Sequence, residues 1–230
     1  MIIKDQLSRI IHLKELPKRI VSLVPSHTEL LAELTNPKWI VGRTKFCIHP
    51  GELKQSTILV GGTKKLHFDR IRELNPDLIF ANKEENNQED IELLEKQFPV
   101  YVSDIKTLND SYQFIQELAQ IFNETLKAET IIRQSQQSIA SQKQKQRQKA
   151  VYLIWKKPYM SIGNDTYIHD VMDKLGFDNA FANERRYPET SIAIIKSLQP
   201  DIILLSSEPY PFNISAVSYT HLTLPTICSV

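Results

Sequence analysis

The segment ELNPDLIF, Glu73 to Phe80, sets the reading of the whole chain. It ends an apolar helical pattern that begins at Phe68. Pro76 then forbids the helix to continue, and Asp77 opens the apolar strand run DLIFA, Asp77 to Ala81. The same order returns 124 residues later as SLQPDIIL, Ser197 to Leu204. Turns of this kind are common, so one short match is weak by itself. Its value comes from its placement: the two copies stand on either side of a long helical stretch, as expected for two similar α/β lobes joined by one helix.

Outward from the first copy, short β-branched runs alternate with helical patterns, the signature of parallel α/β units. Ile20 to Val24 (IVSLV), Trp39 to Gly42, Asp77 to Ala81 and Val100 to Ser103 read as strands. Thr28 to Leu34, Phe68 to Leu74 and Gln88 to Phe98 read as helices, the first opened by a capping-box arrangement of Ser26 and Glu29. Phe114, Leu118, Ile121 and Phe122 then repeat at helical spacing, and the stripe resumes after Asn123 as Ala128, Ile132, Ser135 and Ile139. From Ser141 to Gln148 the pattern is polar on every side, as in helices that bridge domains through solvent. A helix from Leu126 to Arg147 would span roughly 33 Å. The plainer alternative is a charged surface helix capping a single domain. Beyond it, Ala150 to Trp155 and Asp201 to Ser206 read as strands, with helices at Tyr167 to Leu175, closed by Gly176, and Ser191 to Leu198.

The expected organisation is an N-terminal α/β lobe over 1–107, a helical linker over 108–148 containing the bridging helix, and a C-terminal α/β lobe over 149–216. The last residues, 217–230, stand apart. VSYTHLTLPT, from Val217, carries no charge and continues no period, and it resembles the translation of a transposase-type sequencing adapter read through in frame. The expectation is a non-native tail, with the second lobe truncated near Ala216.

Composition narrows the function. The 230 residues carry a net charge of +1, so no broad basic field awaits a nucleic-acid backbone. The one basic run, Lys143 to Lys149, alternates with Gln rather than with aromatic residues. Two cysteines, Cys47 and Cys228, are too few for a disulfide framework or a Cys-rich zinc site. With six glycines there is no GxGxxG or Walker loop for a phosphate cradle. The first sixteen residues mix charges among the apolar positions and contain no run of signal-peptide type.

Taken together, RIVSLVPSHTELL (Arg19 to Leu31), VGGTKKLHFDRIRELNPDLIFANKEEN (Val60 to Asn86), the helical stretch and SLQPDIILLSSEPYPF (Ser197 to Phe212) resemble one family. It is the cobalamin and iron-siderophore class of ABC-importer substrate-binding proteins, with the strongest likeness to cobalamin-binding members. The resemblance implies two Rossmann-like lobes with parallel sheets, joined by a long backbone helix, with the ligand in the cleft between them. It also implies a protein that does no chemistry on its ligand, holds no intrinsic cofactor and works as a monomer. Its partners would be a small metal chelate and an ABC permease/ATPase complex. The location implied is periplasmic or membrane-associated, against which the absence of a leader-like run allows a cytoplasmic one.

Candidate site residues come from both sources. Ser26, His27 and Thr28 follow the first strand, where helix N-termini offer free N–H groups to ligand oxygens. An ordinary capped turn would use Ser26 in the same way. A corrinoid is broad, flat and largely apolar with an amide fringe, so its pocket should offer aromatic faces. The resemblance puts Phe46, Trp155 and Tyr187 at or near such positions, each of which could equally be core packing. Gly62, Thr63 and Asn82 stand where relatives carry aromatic residues, which implies a more polar pocket. His27, Cys47 and His49, with His67, could ligate a metal, although their spacing matches no zinc motif. The resemblance further implies docking to the permease through one carboxylate per lobe. Asp69 holds the first position; Ala193 holds the second, with Glu189 one turn earlier. The rival readings are an intracellular haem or metal-chelate carrier and a Rossmann-like enzyme of corrinoid or metal metabolism. Against the enzyme, no Ser, His, Asp set or carboxylate pair can be tied to a reaction by spacing.

Overall fold

The computed structural model describes residues 1–206, Tyr210 and Phe212, and the backbone of Thr226–Cys228. The chain divides into two compact units. One comprises Met1–Ile105 and Asp110–Ile132; the other comprises Lys106–Asn109 and the chain from Arg133 onward.

The first unit is built on five parallel strands in the spatial order Ile58–Leu59, Ile40–Arg43, Ile20–Ser22, Leu78–Asn82, Val100–Ser103. The chain winds outward from Ile20–Ser22 in one direction and then from Leu78–Asn82 in the other, so the switch in winding falls between these two strands. Both sheet faces are covered, which explains why its strands read as continuous apolar runs. Leu78 and Phe80 pack on one side with Tyr101, Phe114 and Phe122; Ile79 and Ala81 pack on the other with Val21, Ile71, Ile91 and Val102. Phe80 is fully buried, with ring centroids 5.5 Å from Tyr101 and 6.3 Å from Phe122. Burying such a ring contributes about 1.5–3 kcal/mol.

An N-terminal hairpin, Ile2–Lys4 with Ile10–His12, contacts the edge strand Val100–Ser103 through the side chains of Asp5 and Arg9 in its turn. The buried Asp5 carboxylate accepts hydrogen bonds from the backbone of Leu7 and Arg9, from the Arg9 guanidinium, and from Val102 N at 3.2 Å.

The second unit repeats the plan on a smaller sheet in the order Phe177–Asn179, Gln148–Leu153, Ile202–Leu205, Thr226–Cys228, all parallel. Its switch lies between Gln148–Leu153 and Ile202–Leu205. Ile202 and Leu204 face one core cluster, Ile203 and Leu205 the other. Gly176 closes the helix Tyr167–Lys174 at φ +87°, a left-handed conformation that favours glycine. Of the suspected tail, 217–225 and 229–230 lie outside the described residues, whereas the backbone of Thr226–Cys228 pairs with Ile203–Leu205.

Several boundaries differ from expectation. Pro25 opens the first helix, Pro25–Leu34, at its first position; the cap residue is Val24, with no side-chain hydrogen bond. Proline suits that position because its missing N–H would be unpaired there anyway. Ser26 therefore lies inside the helix and makes no capping box. The helical stretch is two helices, Leu108–Phe122 and Thr125–Gln142, and the second stops five residues short of Arg147. Within it only Ala128 is buried, so after Ile132 its face is half-buried or exposed throughout. Among the described residues no helix is long and apolar enough to cross a membrane.

Candidate ligand-binding site

In open α/β sheets ligands sit beyond the carboxyl ends of the strands. In the first unit, the residues that follow Ile20–Ser22 turn mostly inward. His27 is 2% exposed, its Nε2 lies 3.0 Å from Ser103 Oγ, and its ring packs 4.7 Å from Phe114. Desolvation lowers its pKa to about 3, so the ring is neutral. Thr28 is fully buried, its hydroxyl 2.8 Å from Ser22 Oγ and 2.9 Å from the Val24 carbonyl. Both side chains belong to the unit's own interior; of the three predicted contacts in this turn, Ser26 alone is exposed. Asn82 completes the turn network: its amide donates to Ser103 Oγ at 2.9 Å, and its Oδ1 accepts from Glu84 N and Glu85 N.

The open surface lies one strand further out. Lys45 and Phe46 follow Ile40–Arg43, and a tight ladder of Gly61–Gly62 against Lys65–Leu66 follows Ile58–Leu59. Lys45, Phe46, the two glycines and Lys65, together with Lys64 and Arg70, line a concavity of about 450 Å³. Phe46 is 51% exposed, with the Lys45 ammonium 5.0 Å from its ring centroid. A Cβ at Gly62 would come within 3.3 Å of Phe46 Cε2. The space a larger residue would take at position 62 is thus occupied by the Phe46 ring.

In the second unit the matching edge is aromatic. Trp155, two residues beyond Gln148–Leu153, is 38% exposed and meets Tyr210 edge-on at 5.6 Å; Tyr210 in turn meets Phe212 at 4.7 Å. Tyr187 is half-buried against the cluster of Ala150, Ile162 and Met172, with the Arg186 guanidinium 5.5 Å from its ring.

The proposed metal ligands do not converge. Cys47 is fully buried, 3.2 Å from Thr44 Oγ1, whereas His49 and His67 are exposed and the His27 ring faces the core. Among the described residues no group of three His, Cys, Asp or Glu side chains could hold a metal ion. Asp69 lies in the first turn of Phe68–Leu74, its side chain 90% exposed and 2.6 Å from Arg72. Ala193 holds the matching place in Ile192–Leu198, and Glu189 is exposed on the short strand before it.

Sequence reasoning missed the four cations of the first unit and Tyr210 in the second. The doublet Lys64-Lys65 was a visible signal, but Lys45 and Arg70 join it only through the ladder.

The family model described as "Periplasmic binding protein" matches residues 20–219. The chain belongs to the periplasmic binding protein family. Members are substrate-binding proteins rather than enzymes. This periplasmic binding protein is 27% identical over 199 residues to the vitamin B12-binding protein of Vibrio parahaemolyticus, covering 82% of the chain and 70% of that relative. The crystal structure of the periplasmic vitamin B12-binding protein of Vibrio cholerae matches with a TM-score of 0.76 at 25% identity, covering 90% of this chain and 80% of that one. A periplasmic heme-binding protein from Pseudomonas aeruginosa shares the fold with a TM-score of 0.74 at 20% identity, covering 91% and 78%. The expected α/β class with parallel sheets is the fold these proteins share with the chain.

Proposed function

We propose that this periplasmic binding protein is the ligand-binding component of an ABC-type importer, and that its cargo is a corrinoid such as cobalamin or a related metal chelate. The observation that carries the reading is an exposed aromatic ring just past the carboxyl edge of the sheet in each unit, Phe46 in one and Trp155 in the other. Large apolar rings left in water at the place where such sheets bind ligands suit a flat, largely apolar cargo. Tyr187 and Ser26 are secondary contacts, while His27 and Thr28 act by holding the turn from within. The importer's permease/ATPase complex is the partner, with Asp69 docking through its exposed carboxylate and Glu189 the candidate on the second unit.

The test is titration of the purified full chain with cobalamin and with haem, followed by visible absorption. Saturable spectral change with either supports the reading, and Phe46→Ala or Trp155→Ala should then weaken binding about tenfold, the loss of one buried aromatic contact. Absence of binding to any metal chelate, together with turnover of some other substrate, would favour the enzyme reading. Asp69→Arg should abolish association with the permease and spare ligand affinity; equal transport by the variant would remove its docking role.

A further inference from the structure

The cations of the first unit are not distributed alike. Arg9 pairs with Asp5 and Glu95, Arg72 with Asp69, Lys83 with Asp104 and Lys127 with Glu124. Lys45, Lys64, Lys65 and Arg70, the four that line the concavity around Phe46, make no ion pair among the described residues. Three of them meet neutral groups: Lys64 Nζ donates to the Glu84 carbonyl at 2.8 Å, Arg70 Nη1 to the Leu59 carbonyl at 2.8 Å, and Lys45 lies over the Phe46 ring. An ammonium has three donors and a guanidinium five, so each carbonyl bond fixes a direction and leaves donors and charge unspent. Among the described residues no carboxylate lines the concavity. Glu85 is within electrostatic reach of Lys64, and Asp69, on the same helix as Arg70, is already paired with Arg72.

In a chain of net charge +1, four unpaired cations facing one hollow are a local excess. Lining one concavity, they repel one another until a counter-charge arrives. A solvated lysine face would meet the same inventory on a convex surface. Here the cations instead share a concave site with an exposed aromatic ring, a combination that suits a flat apolar body carrying charged oxygens.

We infer that the cargo of this site is an anionic metal chelate, its rim of carboxylate, phosphate or catecholate oxygens received by Lys45, Lys64, Lys65 and Arg70 while Phe46 meets its apolar body. The inference rests on the reading of this surface as a cargo site, and it narrows the ligand class by charge.

The experiment compares affinities of the full chain for four probes by fluorescence quenching at low and high salt. Haem and a trianionic ferric tris-catecholate carry the predicted rim; cobalamin and an uncharged ferric trihydroxamate do not carry it, or carry only one buried phosphate. Both anionic probes should bind at least tenfold more tightly than the uncharged one, and the advantage should shrink in high salt. Lys64→Glu combined with Arg70→Glu, both exposed positions, should weaken the anionic probes at least tenfold and change the uncharged one less than twofold. A conservative pair, Lys64→Gln with Arg70→Gln, should fall between. Equal affinity across the panel, or equal loss for charged and uncharged probes, would overturn the charge inference and leave the metal-chelate reading standing. Binding to none of the four would overturn both.

Discussion

Asp77 and Asp201 occupy the same place in the two units and hold different numbers of hydrogen bonds. Each follows a helix that ends in a left-handed residue, Asn75 at φ 42° and Gln199 at φ 48°, and then a proline. Each also donates its backbone N–H at 2.8 Å to a carbonyl at the start of the neighbouring parallel strand, that of Arg19 just before Ile20–Ser22 in one unit and that of Lys149 at the second position of Gln148–Leu153 in the other. The side chains differ. Asp77 Oδ2 accepts from both Lys18 N and Arg19 N at 2.9 Å, and Arg19 reaches back to the Leu74 carbonyl. Asp201 Oδ2 accepts from Lys149 N alone, at 2.7 Å. The strand served by Asp77 is three residues long, Ile20–Ser22, and that served by Asp201 is six, Gln148–Leu153. A short strand has few ladder hydrogen bonds to fix its register, so more of the alignment falls to the turn beside it.

The comparison can be broken by unfolding each unit under its own reporter, Trp39 in the first and Trp155 in the second. Phe80→Ala should cost the first unit about 3–5 kcal/mol, read from the urea midpoint of Trp39 fluorescence, because it empties the centre of an aromatic cluster. A loss under 1 kcal/mol would mean that the cluster collapses around the gap.

The next effect is pH dependence through His27, whose folded pKa of about 3 lies below the ordinary value of 6.5. Below pH 6.5 the unfolded chain takes up a proton that the folded unit excludes. Stability present above that pH is therefore lost as pH falls toward 3, by about 1.4 kcal/mol per unit. His27→Gln should remove this slope from the Trp39 transition; an unchanged slope would assign it to other groups.

Asp77→Ala should cost about 2 kcal/mol and Asp201→Ala about 1 kcal/mol, in proportion to the charge-assisted bonds each removes. Equal losses would dissolve the distinction drawn between the two turns. Smallest of all, Gln199→Gly should stabilise the second unit by about 0.5–1 kcal/mol by relieving a left-handed backbone, whereas Asn75→Gly should be near neutral, since asparagine tolerates that conformation. Equivalent thermal shifts for the two would show that the residues are under the same strain.

Much of the frame was legible because it is written in local pattern. Val100 to Ser103 and Phe68 to Leu74 match the observed elements residue for residue, and the other long elements differ at their ends. Ile58–Leu59 and Phe177–Asn179 were not visible, being too short to show a period. At the site, Phe46 and Trp155 are exposed and His27 and Thr28 are buried, although all four looked equally available in the sequence. His27 is packed against Phe114 and Ser103, more than seventy residues away in the chain.

The sequence by itself determined the alternation of elements, the repeated helix–Pro–Asp–strand turn and the family, because each resides in consecutive residues and their periodicity. Tertiary structure alone decided which turn side chains face water, and it alone gathered Lys45, Lys64, Lys65 and Arg70 around one ring. Burial and electrostatic potential are sums over atoms brought close by folding, and no window along the chain contains them.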